Sequence, residues 1–172
     1  MHMRRTVVIY ASLLALAAPV TALAISAASG DGTLVVKNGS GPRGTPVVTL
    51  VIRGAAIGHI FDGSIVIDDL NPGDGFTPEV TGASWRKDVG GTVTKWRGVD
   101  FRFRTVGGSY KITIYGSGVD LVASGYGTVV LTGSSETPTL DGRYSLNGQD
   151  FKSLPATPTK QLTIGLPTSA TG

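Results

Sequence analysis

Cysteine is absent from the 172 residues of this chain, and histidine occurs only twice, at His2 and His59. The lack of cysteine excludes a disulfide framework, a cysteine-based zinc site and a lipid-modified N-terminal cysteine. A single histidine beyond the first residues cannot supply a histidine-rich zinc or iron site within one subunit. Stability must therefore come from packing.

Helical periodicity is also missing. After residue 24, no window of eleven residues repeats its apolar positions every 3.6 residues, and the 25 glycines are too frequent to sustain helices. Short β-branched and aromatic runs bounded by Gly, Pro and Asn are typical of strands instead. We therefore predict an all-β fold, a single antiparallel β-sandwich of about nine short strands, with a small β-barrel as the alternative.

The N-terminus has the pattern of an export signal. Arg4 and Arg5 precede an uncharged apolar run over 6–24 that ends in Ala-Leu-Ala, a small-residue cleavage pattern. We expect a cleaved, secreted or envelope-located protein with no transmembrane segment in its mature form; a retained membrane anchor is the alternative. The predicted organisation is a signal peptide over 1–24, a short linker over 25–32, the all-β domain over 33–166 and a flexible tail over 167–172.

Strict alternation of apolar and charged residues over 99–104 predicts one strand. Val99, Phe101 and Phe103 are predicted to face the core, and Arg102 and Arg104 to face solvent, because successive residues of a strand point to opposite faces. A burial pattern that breaks this order would mean that the predicted register is wrong.

Glycine and asparagine punctuate the second half of the chain. Gly116-Ser117-Gly118 and Gly125-Tyr126-Gly127 separate three apolar runs, which predicts turns between the short strands of a meander. Helices do not follow these glycines, so they do not indicate a phosphate-binding loop. Asn147-Gly148 predicts a type I′ hairpin turn between strands over 143–146 and 149–154.

The same region carries a family resemblance. The residues concerned are Gly107-Gly108-Ser-Tyr110-Lys-Ile112-Thr-Ile114-Tyr-Gly116-Ser-Gly118-Val119-Asp120-Leu121, then Gly125-Tyr-Gly127, and Tyr144-Ser-Leu-Asn147-Gly148. Over about residues 103–155 the chain resembles a group of small exported bacterial all-β proteins of no established activity. The resemblance implies an exported β domain and brings no catalytic residues with it.

Acidic and basic residues are concentrated in separate segments of the chain, although the net charge is small. Without Arg4 and Arg5 the chain has thirteen Lys and Arg against twelve Asp and Glu, a net charge of +1, so nucleic acid is not an expected partner. Residues 59–84 hold five acidic and no basic residues, whereas 86–104 hold six basic and two acidic ones. Trp85 immediately precedes this basic stretch, and Trp96 lies within it. The candidate contact residues for an envelope polyanion or glycan are Trp85, Arg86, Lys87, Trp96, Arg97, Arg102 and Arg104. The alternative is that the tryptophans fill the core while the arginines pair with the acidic loop or face water.

Oxygen-bearing side chains cluster just before that stretch. Asp69, Asn71 and Asp74 are of the type that Ca²⁺ prefers, but their spacing misses the EF-hand pattern. Asn-Pro-Gly-Asp-Gly is also turn chemistry, and we favour the turn, with no cofactor expected. His59, Asp62 and Ser64 have the residue types of a hydrolytic triad, but no nucleophile-elbow motif accompanies them.

Three hypotheses of function follow. The first is a non-catalytic exported β domain with a binding or structural role at the cell envelope. The second is a polyanion- or glycan-binding module that uses the stretch from Trp85 to Arg104. The third is a secreted hydrolase built on two carboxylates, for which the sequence nominates no pair.

Overall fold

The computed structural model of the chain describes residues 30–134 and 142–165, and this part contains strands and no helix. The predicted signal peptide over 1–24, most of the linker and the tail over 167–172 lie outside the described residues. The all-β prediction is confirmed. The strands are β1 (Gly32–Gly39), β2 (Val48–Asp69), β3 (Glu79–Thr81), β4 (Trp85–Gly90), β5 (Val93–Thr105), β6 (Ser109–Leu131), β7 (Arg143–Leu146), β8 (Lys152–Ser153) and β9 (Leu162–Ile164).

All nine strands belong to one antiparallel sheet in the order β3-β5-β2-β6-β1-β7-β8, with β4 also paired to β5 and β9 to β6. The order has two ends, so the sheet is not closed into a barrel. It folds over itself in a sandwich-like manner. Leu50 of β2, for example, lies opposite both Ile112 and Val129 of β6, so the two long strands bend enough for one part of β2 to have β6 on both edges.

The prediction that all strands are short is wrong for β2 and β6, which have 22 and 23 residues. The glycines expected to form turns lie inside these strands. Gly54 is paired with Gly125, and Gly63 with Gly116. An added Cβ on any of the four would overlap the backbone of the facing strand, so glycine permits a close approach and a bend there. The glycines bend the strands without ending them.

One apolar cluster forms the core between the folded halves of the sheet. Phe101 and Phe103 are 0% and 2% exposed, and Arg102 and Arg104 are exposed, as predicted. The prediction for Val99 is wrong, because its side chain is 61% exposed.

A local backbone change at Asp100 explains Val99. Asp100 has φ 56°, in the left-handed region, and it has no pairing partner in the otherwise regular β2–β5 ladder. Gly118, with φ 62°, and Phe61 are likewise missing from the β2–β6 ladder, and they lie in the same row of the sheet. Three adjacent strands therefore change together, as at a β-bulge, and the buried face of β5 switches from even-numbered to odd-numbered residues.

The Asn147-Gly148 turn forms as predicted. Asn147 and Gly148 both have positive φ, 52° and 74°, and the amide of Gln149 donates to the carbonyl oxygen of Leu146. The strand after the turn is shorter than expected, since pairing resumes only at Lys152. The Asn147 side chain is used elsewhere, because its amide donates to the carbonyl of Thr163 and its oxygen accepts from the amide of Gly165.

Tyr110 gives a test of the core. Its side chain is fully buried, and its hydroxyl has no hydrogen-bond partner among the described residues. Burial, and then the charges of Asp69 and Asp74, raise the pKa of Tyr110 above its ordinary value of 10.0. Because an unpaired buried hydroxyl is costly, Tyr110→Phe should leave the free energy of unfolding unchanged or raise it by up to about 1 kcal/mol.

The raised pKa of Tyr110 also fixes the expected pH dependence. As pH rises through 10.0, an unfolded tyrosine releases its proton while folded Tyr110 keeps it, so the wild-type protein should lose stability in that window. Urea denaturation at neutral and alkaline pH would show a smaller alkaline loss for Tyr110→Phe. A substantial loss of stability in the variant at neutral pH would show that the hydroxyl has a partner.

Candidate functional site

The hairpin of β4 and β5 sorts the candidate residues onto two faces. Trp85 lies directly opposite Arg97, and Lys87 lies opposite Lys95. Because side chains alternate along a strand, these four residues share one side of the hairpin. We call this group the hairpin face. Trp85 is 45% exposed there, and Lys87 and Arg97 are also exposed.

The hairpin face carries three cations and no acidic residue. Lys87 and Lys95 are directly cross-strand, an arrangement of like charges that is unfavourable unless an anion lies near. The ion pairs between described residues are His59 with Asp100 and Arg86 with Asp88, and neither involves this face. The alternative hypothesis expected the arginines to pair with the acidic loop or to face water, and Arg97 faces water.

The opposite side of the hairpin carries Trp96 and Arg86. Trp96 is only 8% exposed, and the Arg86 guanidinium lies 5.7 Å from the centre of its ring. Both residues line a depression of about 470 Å³ between the hairpin and the loop over 70–78. Trp96 thus packs as a core residue, which the alternative hypothesis expected, and it offers no open face on which a ligand could stack.

The same depression tests the hydrolase hypothesis, because Asp69 and Asp88 both border it. Asp88 accepts hydrogen bonds from Thr94 Oγ1 at 3.0 Å and from Arg86 Nη2 at 3.1 Å. These contacts, that of Thr94 first, lower the pKa of Asp88. A general acid needs a raised pKa, so Asp88 is not suited to donate a proton here.

Arg102 and Arg104 lie farther along β5, in register with His59 and Ile57 of β2. Both arginines are exposed. Arg104 also lies opposite Glu79 of β3 and borders a depression of about 260 Å³ with Phe76 and Val106. The conformation of Asp100 places these even-numbered arginines on the outer side, together with the odd-numbered Lys95 and Arg97.

Arg102 borders a larger depression of about 560 Å³ on the outer surface of the middle of the sheet. We call it the central groove. Sequence reasoning missed it because its residues come from four strands. It is lined by Val35, Val36, Lys37, Ile57, Gly58, His59, Arg102, Asp120, Leu121 and Val122, of which Val36 and Leu121 have their side chains buried in the core.

The predicted calcium ligands form a hydrogen-bonded turn. Asp69 Oδ1 accepts from the backbone amide of Asn71 at 3.0 Å, and Asp74 Oδ1 accepts from the amide of Phe76 at 2.9 Å. Asn71 Nδ2 donates to Asp74 Oδ2 at 3.3 Å. These contacts are those of Asx-turns. Over residues 30–134 and 142–165 there is no group of three or more acidic or histidine residues arranged to hold a metal ion. The turn interpretation explains the geometry, and calcium binding stays a hypothesis that only a titration would test.

His59, Asp62 and Ser64 do not assemble as a triad. All three lie on β2, where His59 and Ser64 are about 16 Å apart along the strand. His59 Nε2 lies 2.7 Å from Asp100 Oδ1, and Ser64 is only 7% exposed. The histidine partner is therefore a residue of the neighbouring strand.

Comparison with known proteins does not assign this chain to a family. Protein-family models, curated proteins and solved structures contain no match to this chain. In the described part of the chain no helix is long and apolar enough to cross a membrane.

Proposed function

We propose that this protein is a non-catalytic binding domain at the cell envelope whose ligand is a linear polyanion, most simply an acidic glycan. The pattern of Arg4 and Arg5 followed by an apolar run over 6–24, which is typical of an export signal, supports the location. The observation that carries the binding proposal is the hairpin face, where Lys87 opposes Lys95 and Trp85 opposes Arg97 with no acidic residue among them. Such a face gains electrostatic stability when an anion binds.

The cations continue along β5 beyond the hairpin face. Lys95, Arg97, Arg102 and Arg104 all point away from the core, and Arg104 is nine residue steps along the strand from Lys95. At about 3.3 Å per residue this track is about 30 Å long, which suits a polymer better than a small anion. A polymer can contact several of these cations at once, so modest individual attractions add together.

Trp85 supplies a second kind of contact. Its exposed ring lies next to Arg97 on the same face. Aromatic rings stack on the apolar faces of sugars and bases, and they contribute without depending on salt. A glycan with acidic groups would use both features, which is why an acidic glycan is preferred to a simple phosphate polymer.

The test removes the two opposed lysines. The double substitution Lys87→Ala and Lys95→Ala should weaken binding of a polyuronate chain by about tenfold at about 50 mM NaCl, because two charge contacts are lost. The matched control is Arg43→Ala with Lys160→Ala, which removes the same charge from exposed positions away from β4 and β5.

Binding would be measured by calorimetry with the full-length protein, and thermal melting would confirm that both variants are folded. The control should change affinity by less than about twofold, since distant surface charges are screened. Equal weakening in the two variants would contradict the proposal, because binding would then depend on overall charge and not on the hairpin face.

A further inference from the structure

The central groove has an apolar floor made by three strands. Ile57 of β2, Val122 of β6 and Val35 of β1 lie in one register row, and Val122 is 41% exposed. Neighbouring strands are about 4.8 Å apart, so this row is about 10 Å across, the width of one or two sugar rings. Aliphatic side chains open to solvent at the middle of a sheet form a surface on which a ligand can lose water.

A polar rim follows one side of this floor. Arg102, His59 and Asp120 occupy the neighbouring register row, and Lys37 borders the groove from β1. Cations therefore stand at both ends of the rim, Arg102 on β5 and Lys37 on β1. The ammonium of Lys37 lies 5.9 Å from the centre of the Phe151 ring.

Two acidic groups near the rim already have polar partners within the protein. Asp100 Oδ1 lies 2.7 Å from His59 Nε2, and Asp120 Oδ1 accepts the backbone amide of Asn38 at 2.9 Å. Asp120 nevertheless lines the groove, so a bound molecule meets a carboxylate between two cations. A carboxylate repels a simple anion but accepts hydrogen bonds from hydroxyl groups.

We propose that the central groove binds a sugar unit that carries a carboxylate, a uronic acid or a similar acidic pyranose. Its apolar ring face lies on Ile57, Val122 and Val35, its carboxylate contacts Arg102 or Lys37, and its hydroxyls donate to Asp120. A phosphate polymer has no hydroxyl groups that could donate to Asp120, and an alkyl chain has no polar groups that could contact the rim. The inference rests on the proposed function and deepens it, because Arg102 belongs both to the track along β5 and to this groove.

The deciding variant is Asp120→Asn, which keeps an oxygen to accept the Asn38 amide and removes one negative charge. If the groove acts only through its positive charge, removing the negative charge of Asp120 must strengthen the binding of every polyanion. If Asp120 accepts sugar hydroxyls, the change replaces a charge-assisted hydrogen bond by a neutral one and weakens sugar binding. The probes are an oligogalacturonate and an inorganic polyphosphate of similar length, titrated calorimetrically into the full-length protein.

We expect Asp120→Asn to weaken oligogalacturonate binding by about threefold to tenfold and to strengthen polyphosphate binding slightly. Val122→Ser, which makes the exposed floor polar, should weaken only oligogalacturonate binding. Stronger binding of both probes to Asp120→Asn, or no effect of Val122→Ser, would overturn the groove proposal. It would leave the proposed function standing as long as the Lys87 and Lys95 substitutions still weaken binding. Failure of both probes to bind the wild-type protein would overturn both proposals.

Discussion

Gly116→Ala is expected to destabilise the protein by about 3 to 5 kcal/mol, a large effect for the addition of a single methyl group. Gly116 has φ 134°, which strains a residue with a side chain, at a cost of about 1 to 3 kcal/mol. An added Cβ would also overlap the carbonyl oxygen of Asp62 on the paired strand, so backbone would have to move, at a further cost of about 1 to 3 kcal/mol.

Gly73→Ala is the matched control for this substitution. A Cβ at Gly73 has no atom within 4 Å, and its φ lies outside the left-handed region. The free energy of unfolding should change by no more than about 0.5 kcal/mol. Urea denaturation of the two variants measures the difference directly. Similar stabilities for Gly116→Ala and Gly73→Ala would show that β2 and β6 do not approach as closely as the structure has them.

Phe103→Ala should cost about 3 to 5 kcal/mol, since the ring is only 2% exposed and its loss leaves a cavity in the core. The ring edge lies against Gly58 of the paired strand, which has no side chain to fill the space that the ring would leave. Phe61→Ala is the control, because that ring is 58% exposed and should contribute no more than about 1 kcal/mol. A loss below about 1 kcal/mol for Phe103→Ala would mean that the register of β5 is wrong.

Local patterns in the sequence were enough to predict the fold class and the burial pattern in the second half of β5. The two-residue alternation that placed Phe101 and Phe103 inside and Arg102 and Arg104 outside holds because one face of the strand is apolar and the other is charged. Asn147-Gly148 formed its turn because both residues tolerate positive φ. These features depend on neighbours in the chain.

Features that depend on distant strands could not be predicted in the same way. The left-handed conformation of Asp100 is coupled to Phe61 and Gly118 in the same row of the sheet, and nothing in the segment over 99–104 indicates it. Glycines within a long strand resemble turn glycines until the facing strand is known. A row of matched glycines, such as Gly63 opposite Gly116, is visible only in the paired structure.

The candidate site likewise combines features that local sequence predicts with features that only the pairing of strands shows. The basic stretch with its tryptophans located β4 and β5, but only pairing shows that Trp85 faces outward with Arg97 and that Trp96 faces inward. Lys95 belongs to the hairpin face although it was not among the candidate contact residues. Lys37 is far from the basic stretch in sequence, and the order of strands across the sheet alone brings it to the same groove as Arg102.

The salt dependence of polyuronate binding is the decisive measurement for the proposed function. If three or four of the cations on β5 and the hairpin face contact the polymer, the affinity measured by calorimetry should fall by about tenfold or more between about 50 and 200 mM NaCl. That fall should be shallower after substitution of Lys87 and Lys95 by alanine, because fewer counterions are displaced. An affinity that does not change with salt, or no binding at about 50 mM NaCl, would contradict the proposal that this protein binds a polyanion.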